Sequence, residues 1–90
     1  MNLTTRQIVI PQLGEGLEKT RIIRLLKQPG EVVKLDDLLF VMETDKANVE
    51  IESAYEGILR EWRVAEDEIV SVGACIGYVD SAEAANWEIR

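Results

Sequence analysis

Apolar positions along this chain come in short runs broken every few residues by turn formers, a spacing too tightly punctuated for helices. Gln7 to Ile10 reads as a strand that Pro11 ends, since proline donates nothing to a ladder. Gly14-Glu15-Gly16 then makes a flexible loop. Thr20 to Lys27 carries Ile22, Ile23, Leu25 and Leu26; its β-branched start and the abrupt Gln28-Pro29-Gly30 favour a strand over a helix turn. Val32-Val33 and Leu38 to Met42 continue as strands, separated by Lys34-Leu35-Asp36-Asp37. Further on, Ile58 to Val64, Ile69 to Val72 and Cys75 to Val79 are strands, with turns at Ser53 to Gly57 and at Ala65-Glu66-Asp67-Glu68. The pattern predicts a small all-β barrel or sandwich.

The sharpest local signal lies between Leu38 to Met42 and Ala47 to Glu52. The first is an apolar run, the second alternates small or apolar with polar, and Glu43-Thr44-Asp45-Lys46 between them has no hydrophobic payload. With Asp45 and Lys46 as the central turn residues, Met42 faces Val49 and Phe40 faces Ile51 on a core face. Glu43, Asn48, Glu50 and Glu52 fall on the other face. Asp45 suits the turn because its carboxylate can accept bonds from nearby backbone N–H groups. Lys46 is then held out in water on a rigid mount.

A weak internal repeat supports a two-sheet body. Sliding the chain by 37 residues sets Gly30-Glu31-Val32-Val33 over Asp67-Glu68-Ile69-Val70, Asp36 over Gly73, and Met42 over Val79. Two similar sheets related by an approximate two-fold axis follow. At each matched turn one copy has glycine and the other aspartate, residues that tolerate positive φ. Glu43 lies over Asp80, where the second copy has no lysine-tipped hairpin. The scaffold is repeated and the lysine is not.

Composition narrows the function. Seventeen acidic and 10 basic residues give net −7 with no histidine, so binding to a phosphate backbone, which needs a basic face, is set aside. The single Cys75 cannot form an internal disulfide, and without histidine or a second thiol a zinc site lacks its usual ligands. Cys75 reads as a buried packing thiol in a reducing compartment, and Trp62 and Tyr78 read as packing residues. No run approaches the roughly 20 apolar residues that span a bilayer, and the N-terminus has no signal core. The sequence therefore implies no membrane partner and a cytoplasmic location, or the mitochondrial matrix for a eukaryotic source. Residues 1–80 are expected to form the domain and 81–90 a tail or the start of a linker, with Trp87 docking back on the body. Between Glu43 and Glu68 nine acids stand against three bases, a run that reads first as a solubilising face and alternatively as one that steers a basic partner surface.

Pro11-Gln12-Leu13-Gly14-Glu15-Gly16, Pro29-Gly30-Glu31-Val32-Val33, Glu43-Thr44-Asp45-Lys46-Ala47, Tyr55-Glu56-Gly57-Ile58 and Val72-Gly73 resemble the lipoyl domain of the acyltransferase (E2) component of 2-oxo acid dehydrogenase complexes. The five motifs in this order run from about Gln7 to Val79. The resemblance implies a flattened barrel of two four-stranded antiparallel sheets, a barrel-sandwich hybrid, with the modified lysine at a hairpin between sheets. That lysine maps onto Lys46, which would carry lipoate as an amide. Glu43, Thr44, Asp45 and Ala47 become its recognition neighbours, and Gly14, Glu15 and Gly16 the surface loop read by the thiamin-dependent decarboxylase (E1). The implied partners are a lipoate ligase or lipoyl transferase, that decarboxylase, the acyltransferase core and dihydrolipoamide dehydrogenase (E3). Asp36 and Asp67 stand where many family members have glycine, and Glu66-Asp67-Glu68-Ile69 is reminiscent of the branched-chain subgroup. Such a domain is a non-catalytic carrier, here excised from a dihydrolipoamide acyltransferase or standing alone.

Two other classes fit the same fold. Biotin carrier domains usually have methionines flanking the modified lysine, where this chain has Asp45 and Ala47. An unmodified adaptor module would keep the body and leave Lys46 an ordinary solvated turn lysine.

Overall fold

A computed structural model describes residues 3–82, and every regular element among them is a strand. In chain order these are β1 (Leu3–Val9), β2 (Lys19–Leu25), β3 (Val32–Val33), β4 (Leu38–Glu43), β5 (Asn48–Glu52), β6 (Gly57–Trp62), β7 (Ile69–Ser71) and β8 (Cys75–Ala82). They build two four-stranded antiparallel sheets, ordered β1-β8-β6-β3 and β5-β4-β2-β7. The all-β, two-sheet architecture agrees with the hydrophobic pattern. No helix among the described residues is long and apolar enough to cross a membrane.

The strand ends differ from the sequence reading by one to four residues, most at β1 and β8. β1 begins at Leu3, and β8 runs to Ala82, because Leu3 pairs with Ala82 and Thr4 with Ser81. These ends are polar and carry no alternation, so the partner strand defines them. β8 thus runs three residues past Val79, and Ser81 is buried. Trp87 and the rest of 83–90 lie outside the described residues.

The repeat is real at the level of individual hydrogen bonds. Gly30 N–H donates to Leu59 O (2.8 Å) and Leu59 N–H to Glu31 O (2.9 Å). In the other half Asp67 N–H donates to Ile22 O (2.6 Å) and Ile22 N–H to Glu68 O (2.9 Å). Side chains repeat as well: Glu31 Oε1 accepts from Gln28 N–H (2.6 Å), and Glu68 Oε1 from Ala65 N–H (3.0 Å). Mapping β2 on β6, β3 on β7, β4 on β8 and β5 on β1 carries one sheet order onto the other. The four matched turn residues all have positive φ: Gly30 96°, Asp67 74°, Asp36 71° and Gly73 90°. Left-handed backbone costs an ordinary L-residue about 1–2 kcal/mol, which aspartate reduces and glycine avoids.

The core lies between the sheets and comprises Ile8, Ile10, Ile22, Val33, Leu39, Phe40, Met42, Leu59, Ile76 and Val79. Trp62 packs its edge on Phe40, with ring centroids 6.2 Å apart at 78°, and donates its indole N–H to Lys27 O at 2.8 Å. Satisfying that N–H lets a large ring sit at the core margin. Cys75 is only half-buried, its Sγ 3.4 Å from Gly77 O; it is not the buried thiol expected.

Gly57 is the first residue of β6, not part of a free turn. A Cβ there would stand 2.1 Å from Asp80 O and 2.9 Å from Ser81 Cα, because β6 approaches β8 backbone to backbone at that point. Asp37 closes a different corner. Its carboxylate accepts from Lys34 N–H (2.9 Å) and lies 3.2 Å from Lys27 Nζ, while Ser53 N–H donates to Asp37 O (2.7 Å). The Lys34 N–H bond, and secondarily Lys27, hold the Asp37 carboxyl below the usual carboxylate range.

Gly57→Val is expected to lose about 3 kcal/mol or more and Glu50→Gln within about 0.5 kcal/mol, read by chemical denaturation; equal midpoints would refute the close approach of β6 to β8. In an NMR titration Asp37 is expected to titrate low, and Lys27→Met to raise it only part of the way to the ordinary value. Because the folded-state value is depressed, the stability it contributes is present above the unfolded carboxylate pKa and lost as pH falls through the lowered one.

Candidate functional site

The hairpin of β4 and β5 has the register the sequence predicts. Met42 pairs with Val49, Phe40 with Ile51 and Glu43 with Asn48. Phe40 and Met42 are fully buried, Val49 and Ile51 half-buried at the sheet edge, and Glu43, Asn48, Glu50 and Glu52 exposed. Both strands belong to one sheet, with β5 on its edge. The turn therefore protrudes from a sheet corner and does not bridge the two sheets.

Asp45 and Lys46 are the central residues of the turn, which Thr44 N–H closes by donating to Ala47 O at 2.8 Å. The other side of the closure is unusual. Ala47 N–H, which in the commonest tight turn meets the carbonyl of the first residue, donates instead to Thr44 Oγ1 at 3.1 Å. The same oxygen accepts from Lys46 N–H at 3.3 Å, and its hydroxyl donates to Ala47 O at 2.8 Å. Thr44, and not Asp45 as the sequence suggested, is the side chain that binds the turn. Asp45 makes no hydrogen bond among the described residues and points its charge into solvent.

The neck of the hairpin is tied by a residue the sequence reading passed over. Thr20, buried in β2, donates its hydroxyl to Glu43 O. In the repeat frame Thr20 corresponds to Gly57, where bare backbones meet, so a hydroxyl fills the space that its mate leaves closed. That mismatch between a buried threonine and a glycine was the available signal. The Glu43 carboxylate is engaged too, 3.4 Å from Arg21 Nε in an exposed pair.

Beside the tip runs the loop Gly14-Glu15-Gly16. Leu17 N–H donates to Gly14 O (2.9 Å), Gly16 has φ 82°, and Gln12 Nε2 donates to Leu17 O (3.1 Å). Loop and hairpin together line a groove of about 480 Å³ whose walls include Leu13, Leu17, Thr44, Asp45 and Lys46. The structure thus brings Gly14, Glu15 and Gly16 against Thr44, Asp45 and Lys46, sites far apart in sequence. Leu13 and Leu17 are added by the fold.

Lys46 is exposed, and among the described residues nothing hydrogen-bonds or ion-pairs its ammonium. Lys27, by contrast, is held by Asp37 and by Val32 O. No group of three or more potential metal-ligating side chains occurs among the described residues. A free primary amine on a braced tip is chemically an acceptor for acylation by another protein.

Comparison with known proteins is consistent with that geometry. Residues 6–79 match the family model described as biotin-requiring enzyme, of the biotin and lipoyl attachment type. The chain is 37% identical over 73 residues to the dihydrolipoyllysine-residue succinyltransferase component of the 2-oxoglutarate dehydrogenase complex of Bacillus subtilis, covering 81% of this chain and 18% of that protein. It is 36% identical over 67 residues to the dihydrolipoyllysine-residue acetyltransferase component of the pyruvate dehydrogenase complex of Mycoplasma genitalium, covering 74% and 17%. The chain therefore spans less than a fifth of the length of these relatives. Among solved structures, the lipoyl domain of the 2-oxoglutarate dehydrogenase complex from Azotobacter vinelandii superposes with TM-score 0.68 at 30% identity, covering 81% of this chain and 92% of that one. The chain belongs to the biotin and lipoyl attachment family, as a lipoyl carrier domain of the kind found in the acyltransferases of 2-oxo acid dehydrogenase complexes.

Proposed function

We propose that Lys46 is the attachment residue, and that the observation carrying this is its unpaired ammonium at the tip of a turn closed by Thr44. The residues present fit an amide-linked lipoyl group: an accessible amine, a stiff mount, and a groove beside it with apolar walls at Leu13 and Leu17. A ligase using ATP and lipoate would offer the acyl adenylate. The Lys46 amine, after losing a proton, attacks the acyl carbon; a C–N bond forms, the C–O bond to AMP breaks, AMP leaves with the electron pair, and a second proton departs from nitrogen. The ammonium charge is lost, so the formal net falls from −7 by one. When bound, the dithiolane supplies acyl carriage and two-electron redox chemistry between the thiamin-dependent decarboxylase, the acyltransferase core and dihydrolipoamide dehydrogenase.

This chain's contribution is presentation. The body keeps Lys46 exposed and outside its own core, and tethering raises the effective concentration of the arm at each site. Asp45 and Ala47 in place of flanking methionines favour lipoate over biotin. We place the reaction in a cytoplasmic or matrix complex, with Gly14, Glu15 and Gly16 beside the arm as the surface the decarboxylase reads.

Intact mass after treatment with a lipoate ligase and, separately, with a biotin ligase tests the reading. One lipoyl group is expected on the wild type, none on Lys46→Arg, and no biotin on either. An unchanged wild-type mass with the lipoate ligase would overturn it in favour of an unmodified adaptor, and biotin incorporation in favour of a biotin carrier.

A further inference from the structure

The geometry points to Thr44 as a positioning residue for the acylation of Lys46: its hydroxyl, not a backbone carbonyl, fixes the amine-bearing turn. This rests on the reading of Lys46 as the attachment residue. Ala47 N–H does not bond the Thr44 carbonyl; Thr44 Oγ1 takes that bond at 3.1 Å and the Lys46 N–H bond at 3.3 Å. The same hydroxyl donates to Ala47 O at 2.8 Å, so one atom ties both central peptide groups and the exit of the turn. Asp45 supplies no substitute, having no hydrogen bond among the described residues.

The neck is fixed independently. Thr20 holds Glu43 O, and Glu43 pairs with Asn48, so the strands remain in register whatever happens beyond them. Loss of the Thr44 hydroxyl therefore frees only the tip. The tip carries no buried side chain: Asp45, Lys46 and Ala47 are all exposed. Global stability is consequently a poor reporter of this residue, and the rate at which the amine reaches an acyl carbon is a good one, since small misplacement of a reacting atom is expensive in rate.

The experiment compares wild type, Thr44→Val, Thr44→Ser and Thr44→Asn as folded domains. Valine keeps the β-branched shape without the hydroxyl, serine restores it, and asparagine offers a different side-chain acceptor of the kind that binds tight turns. With a lipoate ligase, ATP and lipoate, Thr44→Val is expected to lower kcat about tenfold with the KM for the domain changed less than about threefold. Serine and asparagine are expected to recover most of the rate. Amide exchange is expected to accelerate at Lys46 and Ala47 in the valine variant while Glu43 and Val49 keep their protection. Wild-type rates in Thr44→Val, or a loss of rate that serine fails to rescue, would overturn the assignment, as would exchange accelerating throughout β4 and β5. Failure of the wild type to be lipoylated at all would instead strike the reading of Lys46, and the amide-exchange comparison would still decide whether Thr44 fixes the turn.

Discussion

The alternation of β4 is the constraint on which the molecule depends. Successive strand residues point to opposite faces, and β4 is bonded on one side to β2 and on the other to β5. Phe40 and Met42 are wholly buried, and a bulge between Leu38 and Phe40 turns Leu39 inward as well. A slip of one residue would expel all of this apolar surface into water. Since the register cannot slip, the neck from which the turn projects is fixed. The position of Lys46 is thus set by hydrophobic burial that ends at Met42, four residues before it, and finished locally by two threonine hydroxyls.

Pseudo-symmetry clarifies what is scaffold and what is function. Backbone bonds, carboxylate staples and positive-φ corners recur in both halves. Even the exposed apolar mates Val32 and Ile69 are equally open, at 58% each. Only one copy continues its strand pair into a tight turn with a lysine; the other continues as β8 against β1. The same frame shows why Thr20 is needed: its mate Gly57 lets two backbones touch, whereas the hairpin side is held by a hydroxyl bridge to Glu43.

Most of the fold was legible because its signals are local. The hairpin register followed from Met42, Phe40, Val49 and Ile51, and the positive-φ corners from the glycine and aspartate exchange in the repeat. The ends of β1 and β8 were not legible, since Thr4, Thr5 and Ser81 become strand only through pairing across the chain. At the candidate site, the turn with Lys46 on its tip was readable from the pattern flanking it, and the nearness of the Gly14-Glu15-Gly16 loop from the resemblance alone. The staple was misassigned to Asp45 because aspartate and threonine share the same turn chemistry, and only coordinates decide which oxygen faces the N–H groups. Leu13 and Leu17 became part of the groove only when the loop folded beside the tip.

The central claim is that geometry selects one amine among the four lysines of the chain. Peptide mapping by tandem mass spectrometry of the domain produced in lipoate-replete cells tests it most directly. The account expects the lipoyl group on Lys46 alone, with Lys19, Lys27 and Lys34 bare. A lipoyl group on Lys34, the other turn lysine, or spread over several positions, would contradict it.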